Sequence, residues 1–395
     1  MYKQKYLKYK NKYLELKNQV GGDCDPRPKP GDIDPISLEE LNSLPPNEIM
    51  TIELNNNGTI IKKCYIIREI YKWIKINPID PLTNIQLSLE TINNIKNAYR
   101  ILVPIEFTHN DRIEDNEFKD NNLTSLPPMD SIITIGKSAF ANNKLVSLPP
   151  MNSLKTIGYS AFYMNNLELL PSMNTIITIG VLAFYNNKLK SLPSMNSLKI
   201  IGHWAFAHNK LESFLSMNSL EIIGDHAFYS NELKSVILPN NVKRIYEYAF
   251  YNNKLESVTM SNNLTIIEKH VFANNKLKSL HQTNSLKTIK DGAFQNNKLK
   301  SLPQMNSLEI IGVEAFRDNK LTSLIIPNNV ITIGASAFRD NKLRSVVIPN
   351  TVTTIDSNAF ANNRLLISVT IPKRFESRIN DIFGITNNIR FTYTD

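Results

Sequence analysis

The stretch Leu321-Thr-Ser-Leu-Ile-Ile-Pro327-Asn-Asn-Val-Ile-Thr-Ile333-Gly-Ala-Ser-Ala-Phe338-Arg-Asp-Asn341 decides the fold, because it is one copy of a unit that recurs every 22 residues. Its Phe338 belongs to a column at 118, 140, 162, 184, 206, 228, 250, 272, 294, 316, 338 and 360. Five residues before each Phe stands Ile (Ile113 to Ile355), three after it Asn (Asn121 to Asn363), and five after it Leu (Leu123 to Leu365). A piece of this size cannot bury a Phe, an Ile and a Leu alone, so it must stack on a like neighbour. Stacking in a parallel sheet places equivalent side chains one above another at about 4.8 Å, and the Phe column becomes an interior spine. Ala precedes Phe in ten of the twelve units, where a small side chain suits a tight turn. Leu321 to Pro327 reads as a short strand closed by proline. The Asn column is the polar member of the interior, its amide expected to satisfy backbone groups at the bend of each coil.

The pattern Leu-x-x-Leu-x-Ile-Pro-x-x-Val-x-x-Ile-Gly-x-x-Ala-Phe-x-x-Asn resembles the BspA-type leucine-rich repeat, a class found in microbial surface proteins, protist proteins and amoeba-infecting giant viruses. The resemblance covers residues 104–372. It implies a leucine-rich-repeat solenoid, a β-rich α/β right-handed superhelix of about twelve 22-residue repeats, used for adhesion or protein recognition and carrying no catalytic residues. Asn stands here where many members have Cys, which exchanges one buried hydrogen-bonding group for another. The last residues, 373–395, are expected to cap the final coil, since solenoids need their ends covered.

Composition supports a folded chain: 42% hydrophobic and 21% charged residues are ordinary values. The longest apolar runs are a few residues, too short for a membrane span. The lysine-rich N-terminus has no apolar run behind it, so no secretory signal is expected. Two cysteines, Cys24 and Cys64, make neither a disulfide framework nor a four-cysteine zinc site, and the chain reads as intracellular. More than half of the net charge of +9 sits in residues 1–30, where eight Lys/Arg face Glu15, Asp23 and Asp25. A charge so concentrated does not point to nucleic acid.

Recognition must lie in columns that vary. Six residues after Phe, the chain reads Glu168, Lys190, Glu212, Lys234, Glu256, Lys278, a self-neutralising ladder expected to be structural. Four after Phe it reads Lys254, Lys276, Lys298, Lys320, Lys342, Arg364, all positive. This is either a solvated edge that prevents sheet-to-sheet aggregation or a track for an acidic protein, an anionic membrane or nucleic acid. The two residues before Ala-Phe vary most: Tyr159, His203-Trp204, Asp225-His226, Glu247-Tyr248 and Lys269-His270. Tyr163, Tyr185, Tyr229 and Tyr251 follow their Phe directly. Aromatic side chains on a rigid scaffold are the usual anchors of an interface, so the main contact patch for a protein partner is expected on coils 4–8, around Trp204, His226, Tyr229, Tyr248 and Tyr251. The six histidines show no metal-ligand spacing, and no metal or cofactor is expected.

Ahead of the solenoid, residues 1–22 place Tyr2, Tyr6, Tyr9, Tyr13, Leu16 and Val20 on a heptad seam that stops at Gly21-Gly22, which predicts an amphipathic basic helix. The segment Tyr6-Leu-Lys-Tyr-Lys-Asn-Lys-Tyr-Leu-Glu-Leu-Lys17 resembles the leader of many mimivirus-type proteins. Its role stays open between an oligomer seam, a tether, a removable leader and a loosely ordered basic tail. The Pro-rich residues 23–32 read as a linker. Residues 33–103 are expected to form a small α+β domain. Within it, Asp34-Pro-Ile-Ser-Leu38, Gly58, Cys64-Tyr65, Ile70, Trp73-Ile74 and Asp80-Pro-Leu-Thr-Asn84-x-x-Leu87 resemble a U-box, the zinc-free relative of the RING fold that docks a ubiquitin-conjugating enzyme. The resemblance places Ile36 and Pro81 in the docking loops and Tyr65, Ile70 and Trp73 in the core. Two features depart from it: a long Asn-rich first loop, and Asn84 where a basic residue is expected. The alternative is a plain cap over the first coil.

No other catalytic constellation occurs: no Gly-rich phosphate loop, no Gly-x-Ser-x-Gly and no His-Glu-x-x-His. Three readings remain: a protein-binding scaffold, a ubiquitin ligase whose solenoid selects the substrate, and an adhesive component of a virus particle.

Overall fold

The computed structural model describes residues 49–56, 59–74, 78–81, 85–102, 111–214, 217–384 and 388–395. The helix expected over 1–22, the linker, Ile36 and Asn84 lie outside these residues. The chain divides between Glu106 and Phe107 into two compact units.

In the first unit, β1 (Ile49–Asn56) and β2 (Thr59–Ile66) form an antiparallel hairpin. Ile52 and Leu54 are buried while Thr51, Glu53 and Asn55 are exposed, the period of two that a one-sided sheet requires. Helix α1 (Ile67–Ile74) follows β2 directly and turns Ile70 and Ile74, four apart, toward the same core. Helix α2 (Leu89–Leu102) starts where the Ser88 hydroxyl accepts the Thr91 N–H at 3.0 Å. Tyr65, Ile70 and Ile95 meet in one cluster with Trp73 packed against it. The buried Tyr65 hydroxyl donates to Asp80 at 2.5 Å, and the Trp73 indole N–H donates to the Ile79 carbonyl at 2.9 Å. These bonds pin the segment that presents Pro81, which is half-buried. Cys64 is buried.

The second unit is a β-solenoid of thirteen turns, numbered here by their Phe from Phe118 (turn 1) to Phe360 (turn 12) and Phe383 (turn 13). The thirteen rings form one continuous stack, with neighbouring centroids 5.2–5.6 Å apart and planes within 4–16° of parallel. Such stacking adds about 0.5–1.5 kcal/mol per pair to the burial itself. The Ile column forms two-residue parallel strands on successive turns, each in register with the residue 22 positions on, as Thr156 is with Thr178 and Ile157 with Ile179. The opposite arm of the coil pairs likewise, Leu324–Ile325 with Ser345–Val347.

Three buried columns explain why the coils fit. The Asn column ties each turn to the one before it. Asn209 donates to the Phe184 carbonyl at 2.9 Å and the Phe206 carbonyl at 3.0 Å, and accepts the Leu189 N–H at 3.0 Å. The Ala column supplies the carbonyl that the preceding Phe N–H needs, as between Phe184 and Ala205 at 2.8 Å. The Gly column lets backbones approach: a Cβ on Gly180 would stand 2.6 Å from the Gly158 carbonyl carbon. Where Tyr246 underlies Glu268 in place of two glycines, the Ile sheet is interrupted between Ile245 and Ile266. Buried Glu268 there meets Lys290 at 2.6 Å.

Turn 12 corrects one reading of the sequence. The Leu column was expected to end at Leu365, yet Leu365 is exposed and Leu366 is buried in its place. One extra residue enters this arm, so Ser345 pairs with Ser368, 23 positions on. Residues 373–395 then build turn 13, with a 3₁₀ helix (Lys373–Arg378), helix α3 (Ile379–Phe383) and a strand (Arg390–Thr394) parallel to Ser368–Pro372. Phe391 meets the last spine ring, Phe383, edge-on at 5.5 Å.

Candidate interaction surface

The bend around each Phe of turns 1–12 holds two left-handed residues, one two positions before it and one two positions after. The first of these aims its N–H along the solenoid axis at the next turn, as Trp204 does to the Asp225 carbonyl at 2.8 Å and His226 to the Glu247 carbonyl at 2.9 Å. Six of the twelve turns fill this position with Ser, Asn or Gly, of which Gly pays nothing for a positive φ and Asn little. Turns 4–8 fill it with Leu182, Trp204, His226, Tyr248 and His270 at φ between 53° and 59°. Each bulky residue held there costs about 1–2 kcal/mol.

Their side chains form a second ladder parallel to the Phe spine. Trp204 stacks on His226 with centroids 4.0 Å apart, His226 on Tyr248 at 4.6 Å, and Tyr248 on His270 at 4.8 Å. Beside it run the tyrosines that follow Phe: Tyr163 on Tyr185 and Tyr229 on Tyr251, both at 5.3 Å. His208 fills the gap left by Ala207, edge-on to Tyr185 at 5.2 Å and to Tyr229 at 5.3 Å. The ladder ends at Gly292, where a Cβ would overlap the His270 ring.

The ridge is half-buried, with His208 exposed at its edge. Burial holds the His270 and His208 imidazoles below their ordinary pKa and pushes the Tyr185 and Tyr248 hydroxyls up. His270 Nδ1 is buried without a hydrogen-bond partner. Asp225 lies 2.9 Å from His226 Nδ1 without the geometry of a hydrogen bond, and that nitrogen too is unpartnered. The arrangement offers flat ring edges and hydroxyls at fixed spacing, with no nucleophile–base pair and, among the described residues, no metal-holding cluster.

The expected contact patch is thus divided by the structure. Trp204, His226, Tyr229, Tyr248 and Tyr251 come together, joined by His270, Tyr185 and His208. His208 stands out in sequence as the one imidazole in a column of mostly Asn, Asp and Ser, a signal the periodicity reading passed over. His203, one residue before Trp204, lies outside the ladder: its Nδ1 accepts the Asp225 N–H at 3.0 Å and its ring meets Tyr246 at 5.6 Å. Tyr159 is exposed, with the Lys137 ammonium 5.5 Å above its ring.

The charged columns divide as well. The ladder six residues after Phe forms separate pairs, Glu168–Lys190 at 3.0 Å, Glu212–Lys234 at 2.5 Å and Glu256–Lys278 at 2.6 Å. In the column four after Phe, Lys254 is paired to Glu232 at 2.6 Å, while Lys276, Lys298, Lys320 and Lys342 are exposed.

The sequence matches the family model of the BspA type leucine rich repeat region over residues 90–212, 199–321 and 309–394. Among solved structures, the pneumococcal vaccine antigen PcpA is similar over 72% of this chain and 85% of its own, with 21% identity and a TM-score of 0.52. A leucine-rich repeat protein from Bacteroides ovatus is similar over 89% of this chain and all of its own (21% identity, TM-score 0.46). A leucine rich cell surface protein from Faecalibacterium prausnitzii is similar over 72% and 90% (22% identity, TM-score 0.45). At such identities the PcpA likeness is one of fold. No curated protein matches the chain.

Proposed function

Because the chain belongs to the BspA-type leucine-rich-repeat family, we propose that it is a non-catalytic scaffold that binds a protein partner through the aromatic ladder of turns 4–8. The observation that carries this reading is the left-handed backbone of Trp204, His226, Tyr248 and His270. Six of the twelve turns complete the same bend with Ser, Asn or Gly, so the fold alone does not call for large rings there. Rigid aromatics supply contact area at small entropic cost and are the usual hot spots of protein interfaces. The test is affinity capture from amoebal lysate with the wild-type chain beside Trp204→Ser/Tyr229→Ser/Tyr251→Ser. Loss of specific partners in the triple variant is expected; retention of every partner overturns the placement.

The setting we propose is the cytoplasm of an amoebal host or the particle of a mimivirus-like virus, on the strength of the leader-like segment 1–22. Mass spectrometry of purified particles distinguishes the two.

A second reading concerns the first unit. The order hairpin, α1 and pinned Asp80-Pro81 segment supports U-box-like docking of a conjugating enzyme, with Ile36 and Pro81 at the contact and the solenoid choosing the substrate. A ligase must discharge a ubiquitin-charged conjugating enzyme and lose that ability in Ile36→Ala. Absence of discharge over a broad enzyme panel leaves the scaffold reading alone.

A further inference from the structure

The arm that follows the buried Asn changes character along the solenoid. On turns 3–7 it carries Glu168, Glu212, Glu232 and Glu256, each bound by a lysine one turn on: Lys190, Lys234, Lys254 and Lys278. On turns 8–12 the arms are residues 276–281, 298–303, 320–326, 342–348 and 364–372. They hold eight Lys or Arg and no Asp or Glu. Beyond Lys278, the arm cations from Lys298 to Arg364 have no carboxylate partner among the described residues. The nearest acidic column is already occupied: Asp318 lies 3.3 Å from Arg317, and Asp340 lies 3.2 Å from Arg339.

A column of like charges about 4.8 Å apart raises the local potential and asks for anions from outside. Aliphatic side chains stand among these cations. Ile325 is 82% exposed and Ile367 62%, with Val347 and Leu365 each half exposed. The strand register sets Ile325 beside Val347, on the arms that also bear Lys320, Lys342 and Arg344.

We infer that the outer face of turns 8–12 docks on an anionic lipid surface, its cations holding headgroup phosphates and carboxylates and its aliphatic tips entering the apolar boundary. Two features favour lipid over the other polyanions. Apart from the His281 imidazole at the end of turn 8, the arms of turns 8–12 expose no aromatic ring on which a nucleic-acid base could stack. A fluid headgroup layer accepts flexible lysine ammoniums at any spacing and supplies an apolar layer for Ile325 and Ile367, which a purely ionic polymer does not. The face is separate from the aromatic ladder, and the inference stands or falls without it. Among the described residues no helix is long and apolar enough to cross a membrane, so the attachment is peripheral.

The experiment is vesicle flotation of the full chain with phosphatidylcholine alone and with added phosphatidylserine, at low and high salt. Binding only to the phosphatidylserine vesicles, weakened by salt, is expected. Lys298→Ser/Lys320→Ser/Lys342→Ser/Arg344→Ser should lower the partition on the order of 1,000-fold. Ile325→Ser/Val347→Ser should lower it about tenfold and leave the salt dependence in place. All six positions are exposed, so thermal melts matching wild type are expected and certify the fold. Lys190→Ser/Lys234→Ser, on already paired lysines, should stay within about twofold of wild type. Equal binding to both vesicle types, or a quadruple variant that floats like wild type, overturns the inference. So does binding to heparin or single-stranded RNA with no vesicle binding, which assigns the face to a polymer.

Discussion

The Trp204 indole lies face to face on the His226 imidazole, centroids 4.0 Å apart and planes 7° from parallel, although both residues hold a left-handed backbone. The stack and the strained backbone are linked. The left-handed residue repeats at the same position of successive coils and its N–H bonds to the next coil, so the position that disfavours large residues also sets their rings one above another.

That link makes Tyr248→Asn informative. Asn tolerates φ near +55°, which returns about 1 kcal/mol of backbone strain, while the lost stacking on His226 and His270 costs a similar amount. Urea unfolding should therefore place the variant within about 1 kcal/mol of wild type while partner capture falls sharply. A large loss of stability with intact capture would assign the ladder to the fold.

Gly292 terminates the ladder for a steric reason that a double-mutant cycle exposes. Its φ of +59° and the His270 ring above it leave no room for a Cβ. Gly292→Ala should destabilise the solenoid by about 2 kcal/mol, and adding His270→Ala should recover about half of that. Purely additive effects in denaturant would show that the ring is not the obstacle.

The Asn column should be unforgiving. Removing the Asn231 amide leaves the buried Leu211 N–H without its acceptor and takes from the Phe206 and Phe228 carbonyls one of their two Asn donors, the others being Asn209 and Asn253. Asn231→Ala is expected to cost about 2 kcal/mol, and Asn231→Cys less, since a thiol restores a weak acceptor and a weak donor. An equal loss in both would remove hydrogen bonding as the column's role.

Acid should loosen the ladder before it touches the carboxylates. Burial depresses the His270 and His208 pKa in the folded chain, so below the unfolded value of about 6.5 the unfolded chain takes up the extra protons. Their stabilising contribution is present above that pH and is lost as pH falls toward the folded values. The paired Glu168, Glu221, Glu232 and Glu256 are held below the usual carboxylate pKa by hydrogen bonds from lysine, so their contribution persists above about 4.3 and fades only below it. Urea midpoints should fall in two steps on acidification, and His270→Asn/His208→Asn should flatten the upper one. A midpoint constant from about pH 7.5 to about pH 5 would contradict this.

The columns themselves were legible before any coordinates. A strict repeat defines one translation per turn, so Phe, Ile and Leu must each stack on their own kind, and the buried Asn must find backbone partners. The tertiary structure decided what lies side by side across columns. It separated His203 from Trp204, joined His208 and Tyr185 to Tyr229, matched Glu232 with Lys254, and moved Leu366 into the place of Leu365. Those neighbourhoods depend on where each coil bends. The left-handed residue two positions before Phe is Ser, Leu, Trp, His, Tyr, Gly, Glu or Asn in different turns, a column with no residue signature. Period along the chain is therefore written in the sequence, while contact around the coil is a property of its backbone angles.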